Sequence, residues 1–192
     1  MTTPSITVRL RASDRAALER HFTRLGGEDR RLRFGSNISD QGLHEYVERI
    51  DFERDGLFAV HDDAGANLLA VIHVAASGPG AELGLSVLPE YRVQGLGSAL
   101  FARAVTYLRN RGIAEVFVHC LSENGAMMHL ARKNHMRIIP EGLETDARLA
   151  LAPATAHTFF AEWMHDSQAA AVTTLRTHAR MVRTLLDPQS EN

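Results

Sequence analysis

The sequence holds one cysteine, Cys120, in 192 residues, so no internal disulfide framework is available and a reducing compartment suits it. Long apolar runs are missing too. The longest, Leu68 to Ala76, is interrupted by His73 and falls far short of the ~20 residues needed to span a bilayer. No charge of one sign dominates. Lys and Arg number 21 against 23 Asp and Glu, and the net charge of −2 gives no global drive toward nucleic acid or anionic membrane. The cluster Arg30-Arg31-Leu32-Arg33 reads as a solvated face. The opening MTTPSITVRL has no basic-then-apolar leader pattern. The ten histidines never fall at HExxH or Cys/His ligand spacing, and no metal is expected. His73 and His119 could face each other from neighbouring strands, but both read better as core or surface histidines. Repeats and low-complexity tracts are absent. These absences together predict a cytoplasmic protein.

With 45% hydrophobic and 23% charged residues the chain has an ordinary globular composition, and its length suits one domain, or one domain plus an appendage. Its organising stretch runs from Ala81 to Asn110. Leu83, Leu85 and Val87 alternate with Glu82, Gly84 and Ser86, which is the two-residue period of a strand. Pro89 stops it, Arg92-Val93-Gln94-Gly95-Leu96-Gly97 turns, and Leu100, Phe101, Ala104, Val105 and Leu108 then mark one helical face that ends before Gly112. A helix opening in this way aims unpaired N–H groups and the positive end of its dipole at the loop. Two glycines let a phosphate approach the backbone. The composition therefore suggests a pyrophosphate cradle, beside the plainer alternative of a turn that needs glycine for geometry alone. A P-loop is excluded, because no Lys-Ser or Lys-Thr follows either glycine. A Rossmann fingerprint is excluded by Leu100 at its third small position.

The rest of the chain predicts a strand over Ile6 to Leu10, a helix from Asp14 to Leu25 ended by Gly26-Gly27, and a basic loop from Arg30 to Asn37. Ser39 caps a helix through Leu43, Tyr46, Val47 and Ile50. Strands at Leu57 to His61 and Leu68 to Ser77, separated by an Asp-Asp-Ala-Gly turn and followed by Gly78-Pro79-Gly80, are expected to pair antiparallel with the central strand. A strand through Val116 to Cys120, a helix capped by Asn124, and strands at Met136 to Ile139 and Ala147 to Leu151 follow. Pro153 marks a boundary. Beyond it, Thr155 to Leu186 carries Phe160, Trp163, Met164, Ala171, Val172, Leu175, Ala179, Val182 and Leu186 at helical spacing. That stripe needs a partner surface, either its own domain or a second subunit. The expected division is a domain over 1–152, a helix over 153–187 and a disordered tail over 188–192.

Arg-x-x-Gly-x-Gly at Arg92, Gly95 and Gly97, between a strand and a long amphipathic helix, resembles the acyl-CoA pyrophosphate loop of the GNAT acetyltransferases. A second motif agrees: Asn124, Met127, Leu130 and Lys133 fall at the spacing of that family's N-x-x-[AM]-x-x-L-x-x-K. The resemblance covers roughly Val60 to Ile139. It implies an α+β fold, a central, mostly antiparallel sheet of six to seven strands flanked by helices, with two central strands splayed to admit pantetheine. It implies acetyl-CoA as cosubstrate and a primary amine, of a protein lysine or a small molecule, as acceptor. Leu85 and Val87 would pair with pantetheine. Arg92, Val93, Gln94, Gly95, Leu96, Gly97 and Ser98 would form the pyrophosphate loop, with Lys133 beside it. Asn124 would hold the arm near the thioester, besides serving as an N-cap. Arg33-Phe34 followed by Ser39-Asp40 faintly resembles the N-terminal part of Pat-type bacterial protein-lysine acetyltransferases.

Glu82 sits where histone-acetyltransferase members of the family carry their glutamate base, and an amine must lose its proton before attack. The alternative for Glu82 is a solvated strand-end carboxylate. Two positions depart from the family: Ala131 replaces the tyrosine that protonates the leaving thiolate, and His135-Met136 replaces Gly-Phe. Ser122 is the nearby hydroxyl expected to take the acid's part, unless water does. Cys120 is expected to be a small buried residue rather than a nucleophile. The missing tyrosine also leaves open a protein that binds acyl-CoA without turnover, as a sensor or scaffold using its last helix for interaction.

Overall fold

A computed structural model describes residues 6–77 and 80–186. The elements run β1 (Val8–Arg9), α1 (Arg15–Thr23), α2 (Gly27–Phe34), α3 (Asp40–Arg49), β2 (Gly56–His61), β3 (Leu68–Ser77), β4 (Gly80–Val87), α4 (Leu96–Asn110), β5 (Glu115–Leu121), α5 (Gly125–Lys133), β6 (Arg137–Glu141), β7 (Glu144–Ala150) and α6 (Ala156–Leu186). They form the expected mixed sheet of seven strands, ordered β1-β2-β3-β4-β5-β7-β6. Every pairing is antiparallel except β4 with β5.

That exception matters most. β4 and β5 pair only from Gly80↔Glu115 to Glu82↔Phe117, after which the two strands part. β3 stays paired to β4 along its whole length, and β7 to β5, so each diverging strand is held from its outer side. One face of the sheet packs Phe58, Ile72, Leu83, Val116 and Val118 against Leu100, Phe101, Ala104 and Leu108 of α4 and Met127 and Leu130 of α5. The other packs Leu57, Ala59 and Val71 against Leu18 and Phe22 of α1 and Leu43 and Val47 of α3. Covering both faces removes from water the apolar area that holds such a domain together.

Two expectations change and one open alternative closes. Arg30 to Asn37 is mostly helix, not loop: α2 has Gly26 as its extended N-cap, Glu28 and Asp29 in its first turn, Arg31 and Arg33 in its last, and Gly35 in the left-handed region (φ 76°) closing it. Acids at the start and bases at the end complement the helix dipole, and this outweighs the sparse apolar pattern. His73 and His119 lie on β3 and β5, which are not neighbours, because β4 runs between them. The second change concerns α6, which docks through polar side chains. Arg103 of α4, 1% exposed, meets Asp166 at 2.5 Å and covers the Phe58 ring, while Asn110 and Arg111 bind Glu162 at 2.6 and 3.0 Å. These two arginines and the Asn110 amide turn the acidic side of α6 inward. Phe160, Trp163 and Leu175 of the apolar stripe stay 59%, 60% and 68% exposed. Pro79, the start of the chain and the tail 188–192 lie outside the described residues.

Candidate active site

The splay opens a cleft of about 580 Å³ lined by Leu85, Ser86 and Val87 of β4, Tyr91 to Val93 and Gly95 to Ser98 of the loop, Asn124 to Met127, Leu130 and Lys133. Its upper end is the turn between β4 and α4. Gly95 adopts φ 82° as the N-cap of α4, a conformation that a side chain would strain. Val93, fully exposed, is held at φ 60°, rare for a β-branched residue and a mark of backbone strain beside a site. Ala99 N–H already bonds the Gly95 carbonyl, leaving those of Leu96, Gly97 and Ser98 without helical partners at the cleft wall. Gly97 lets α4 approach β4 closely: a Cβ there would lie 3.2 Å from Leu85 Cδ2. Lys133, the chain's single lysine, donates to Ser98 Oγ at 2.9 Å. A cation and three free N–H groups therefore converge at one end, an anion-binding arrangement.

Gln94 points away from this wall, donating weakly to the Glu90 carbonyl at 3.5 Å, and does not line the cleft. Arg92 does line it, but its guanidinium pairs with Asp29 of α2 at 2.6 Å. Asn124 caps α5 by accepting from Met127 N–H at 3.0 Å, and its amide donates to the Leu32 carbonyl at 3.1 Å. Arg31 reaches Glu123 at 2.6 Å. Through these contacts α2 bridges both jaws of the splay, a role hidden while the segment is read as a loop.

At the apex a second, smaller cleft is lined by Glu82, Gly84, His119, Cys120 and Asn124, and Arg33 belongs to both. Glu82 is exposed to solvent there. The Arg33 guanidinium lies directly on Gly84, where any Cβ would overlap it, and packs 4.8 Å from the centre of the Phe34 ring. It donates to Tyr46 Oη at 3.0 Å. The Tyr46 hydroxyl donates to His73 Nδ1 at 2.6 Å, and His73 Nε2 donates to Asp55 at 2.9 Å. Burial lowers the His73 pKa more than the Asp55 bond raises it, which keeps the ring neutral and this direction of donation consistent. His119 bonds Asp146 at 2.8 Å and Glu144 at 3.1 Å, and these carboxylates, the Asp146 bond foremost, raise its pKa. Under the floor, His21 donates from Nδ1 to the Leu68 carbonyl at 2.9 Å and accepts from Ser86 Oγ at 2.8 Å. Burial pushes its pKa down to about 4.

Ser122 lines neither cleft. Its hydroxyl bonds Thr145 Oγ1 at 2.8 Å. Cys120 is buried, and burial raises its thiol pKa, which keeps it protonated rather than nucleophilic. Among the described residues no group of three His, Cys, Asp or Glu side chains could hold a metal ion, and no helix is long and apolar enough to cross a membrane. Sequence reading had singled out Glu82 and the loop but missed the Arg33–Tyr46–His73–Asp55 chain. The one available signal was Arg33-Phe34 before a capped helix.

Residues 28–136 match the model of the acetyltransferase (GNAT) family. No curated protein sequence matches the chain. Among solved structures, the GNAT domain of S. lividans PAT superposes with a TM-score of 0.64 at 19% identity, covering 76% of this chain and 89% of that one. The ribosomal-protein-S18-alanine N-acetyltransferase from Escherichia coli gives 0.58 at 20%, covering 78% and 94%. The PaiA N-acetyltransferase from Thermoplasma acidophilum, in complex with coenzyme A, gives 0.57 at 18%, covering 75% and 97%.

Proposed function

Because this chain belongs to the GNAT acetyltransferase family, and so is an acyl-CoA-dependent acetyltransferase, we propose that it moves the acetyl group of acetyl-CoA directly to a primary amine. The acceptor is a protein lysine or a small molecule, bound together with acetyl-CoA in one ternary complex. The observation that carries this reading is the parting of β4 and β5 beyond Glu82 and Phe117, with an anion-binding loop at one end of the opening and a carboxylate at the other. The pyrophosphate binds the N–H groups of Leu96, Gly97 and Ser98, with Lys133 beside it and Arg92 turning from Asp29. Pantetheine runs along Leu85 and Val87, whose edge β5 has vacated. Asn124 fixes the jaw from which the arm is held.

Glu82 takes a proton from the ammonium form of the acceptor, through water where the acceptor stands off. The freed nitrogen pair attacks the thioester carbonyl carbon, a strand N–H stabilises the oxyanion, and the C–S bond breaks as the carbonyl re-forms and the nitrogen releases its second proton to water. CoA leaves as thiolate and is protonated by water. With a thiol pKa of about 8.5 that step tolerates the loss of the family's tyrosine at Ala131, and Ser122, occupied by Thr145, is not required. The free, buried Cys120 accords with a cytoplasmic location. The 153–187 segment adds a homodimer contact through the outward aromatics of α6 to the catalytic domain 1–152.

The test is thiol release from acetyl-CoA against a panel of amines and lysine peptides. Release that depends on amine, with matching acetylated product, supports the reading. Tight acetyl-CoA binding with no release from any acceptor would instead indicate a sensor.

A further inference from the structure

The Arg33 guanidinium borders both clefts, and the transfer reaction leaves it without a task. Its neighbours in sequence are all satisfied: Arg30 pairs with Asp40, and Arg31 with both Glu28 and Glu123. Arg92, across the larger cleft, pairs with Asp29. Among the described residues Arg33 has no carboxylate within ion-pair distance, and its Nε is buried without a hydrogen-bond partner. The carboxylate it does reach, Asp55, stands three hydrogen bonds away, behind two neutral groups. A half-buried cation with an orphaned donor costs stability unless an anion arrives to meet it.

The surroundings hold this cation rigidly in place. Gly84 provides a flat seat that any side chain would fill, Phe34 forms a wall, and the Tyr46–His73–Asp55 chain fixes the orientation from behind. A planar guanidinium fixed in this way suits a planar carboxylate that accepts two parallel bonds. Glu82 lies two residues from Gly84 on the same strand face, a separation of about 7 Å along the strand. An anion site and a proton-accepting carboxylate at that spacing match a molecule that bears a carboxylate and an amine a few bonds apart. The CoA phosphates do not compete, since their site is at the other end of the larger cleft.

We propose that Arg33, seated on Gly84 and oriented by Tyr46, is the specificity-determining residue of the acceptor site and binds a carboxylate carried by the acceptor. The inference rests on the acetyltransferase reading above. Two sources share this chemistry: the α-carboxylate of a free amino acid, and an acidic side chain flanking a lysine in a peptide.

The experiment uses matched acceptors. Alanine is compared with alaninamide, and a lysine peptide flanked by Glu with the same peptide flanked by Gln, in wild type, Arg33→Gln and Gly84→Ala. Wild type is expected to favour the carboxylate member of one pair at least tenfold in kcat/KM, and which pair shows it identifies the source. Arg33→Gln should bring the members of that pair within about twofold through a raised KM for the charged one. Gly84→Ala, which lifts the guanidinium off its seat, should do the same with the arginine still present. No preference in wild type overturns the proposal, as does a preference that survives Arg33→Gln. An equal fall in kcat for both members also overturns it, because Arg33 would then act on the thioester. Calorimetric titration of the CoA-loaded protein with the N-acetylated forms of the same four probes reads the preference without turnover. If no amine supports release, the acetyltransferase reading fails while this binding arm still decides the role of Arg33.

Discussion

The larger cleft draws its floor, loop and helix from one continuous stretch, Gly80 to Asn110, with further walls from Asn124 to Lys133 and from Leu25 to Arg33. The smaller cleft at the apex is assembled from separate pieces: Arg33 on α2, Glu82 on β4, His119 on β5, and behind them Tyr46 on α3 and His73 on β3. The first is backbone chemistry, set by glycines, a helix terminus and a strand edge without a partner. The second is side-chain chemistry, set by packing between elements distant in sequence. Leu32, Arg33, Leu85, Asn124 and Met127 bound both, and of these Arg33 and Asn124 are the polar ones.

The comparison predicts that the two clefts fail differently, and the largest effect belongs to the smaller one. Glu82→Gln should lower kcat by about 10²- to 10⁴-fold, the range for a positioned base, with acetyl-CoA affinity unchanged in calorimetric titration. A joint loss of both would merge the two sites into one. His21 sits beneath β4, the strand that lines both, and tests what they share. Its pKa is about 4 when folded against 6.5 when free, so between these values the unfolded chain binds the extra proton and stability rises with pH. The contribution, about 3 kcal/mol, is complete above pH 6.5 and lost as pH falls toward 4. Denaturant titration across that window should show wild type losing this much relative to His21→Gln; parallel curves would contradict it.

Smaller effects follow on the coenzyme side and on the periphery. Gly97→Val puts its branched side chain into Leu85, forces α4 off β4, and should raise the KM for acetyl-CoA about tenfold, with a lesser change in kcat. An unaltered KM would remove α4 from the phosphate site. Replacing both Phe160 and Trp163 by Ser, far from either cleft, should change stability by less than about 1 kcal/mol and convert a dimer to a monomer in sedimentation. A wild type that already sediments as a monomer would leave α6 without that role.

The same contrast explains what could be read without a structure. The loop at Arg92 to Ser98 is local, and its glycines are needed where φ turns positive at Gly95 and where Leu85 crowds Gly97. The antiparallel pairing of β2, β3 and β4 was legible from the turns between them, whereas the place of β7 between β5 and β6 carries no local signal. Arg30 to Asn37 resisted because its helix is held by end charges, a Gly26 N-cap and a Gly35 C-cap rather than by an apolar period. For α6 the period was right, but which face turns inward depends on Arg103, Asn110 and Arg111, about fifty residues earlier. The Arg33 chain joins residues up to 27 apart across three elements, and no spacing rule links Tyr46 to His73 or His73 to Asp55.

The central claim is that the acetyl group passes straight from the thioester to an amine at the apex of the splay. Its most direct test is a single-turnover reaction: protein loaded with acetyl-CoA, mixed with an active amine, quenched at intervals and weighed intact by mass spectrometry. The account predicts acetylated amine accumulating while the protein keeps its unmodified mass throughout. A transient protein species heavier by one acetyl group, on Cys120 or any other residue, would contradict it.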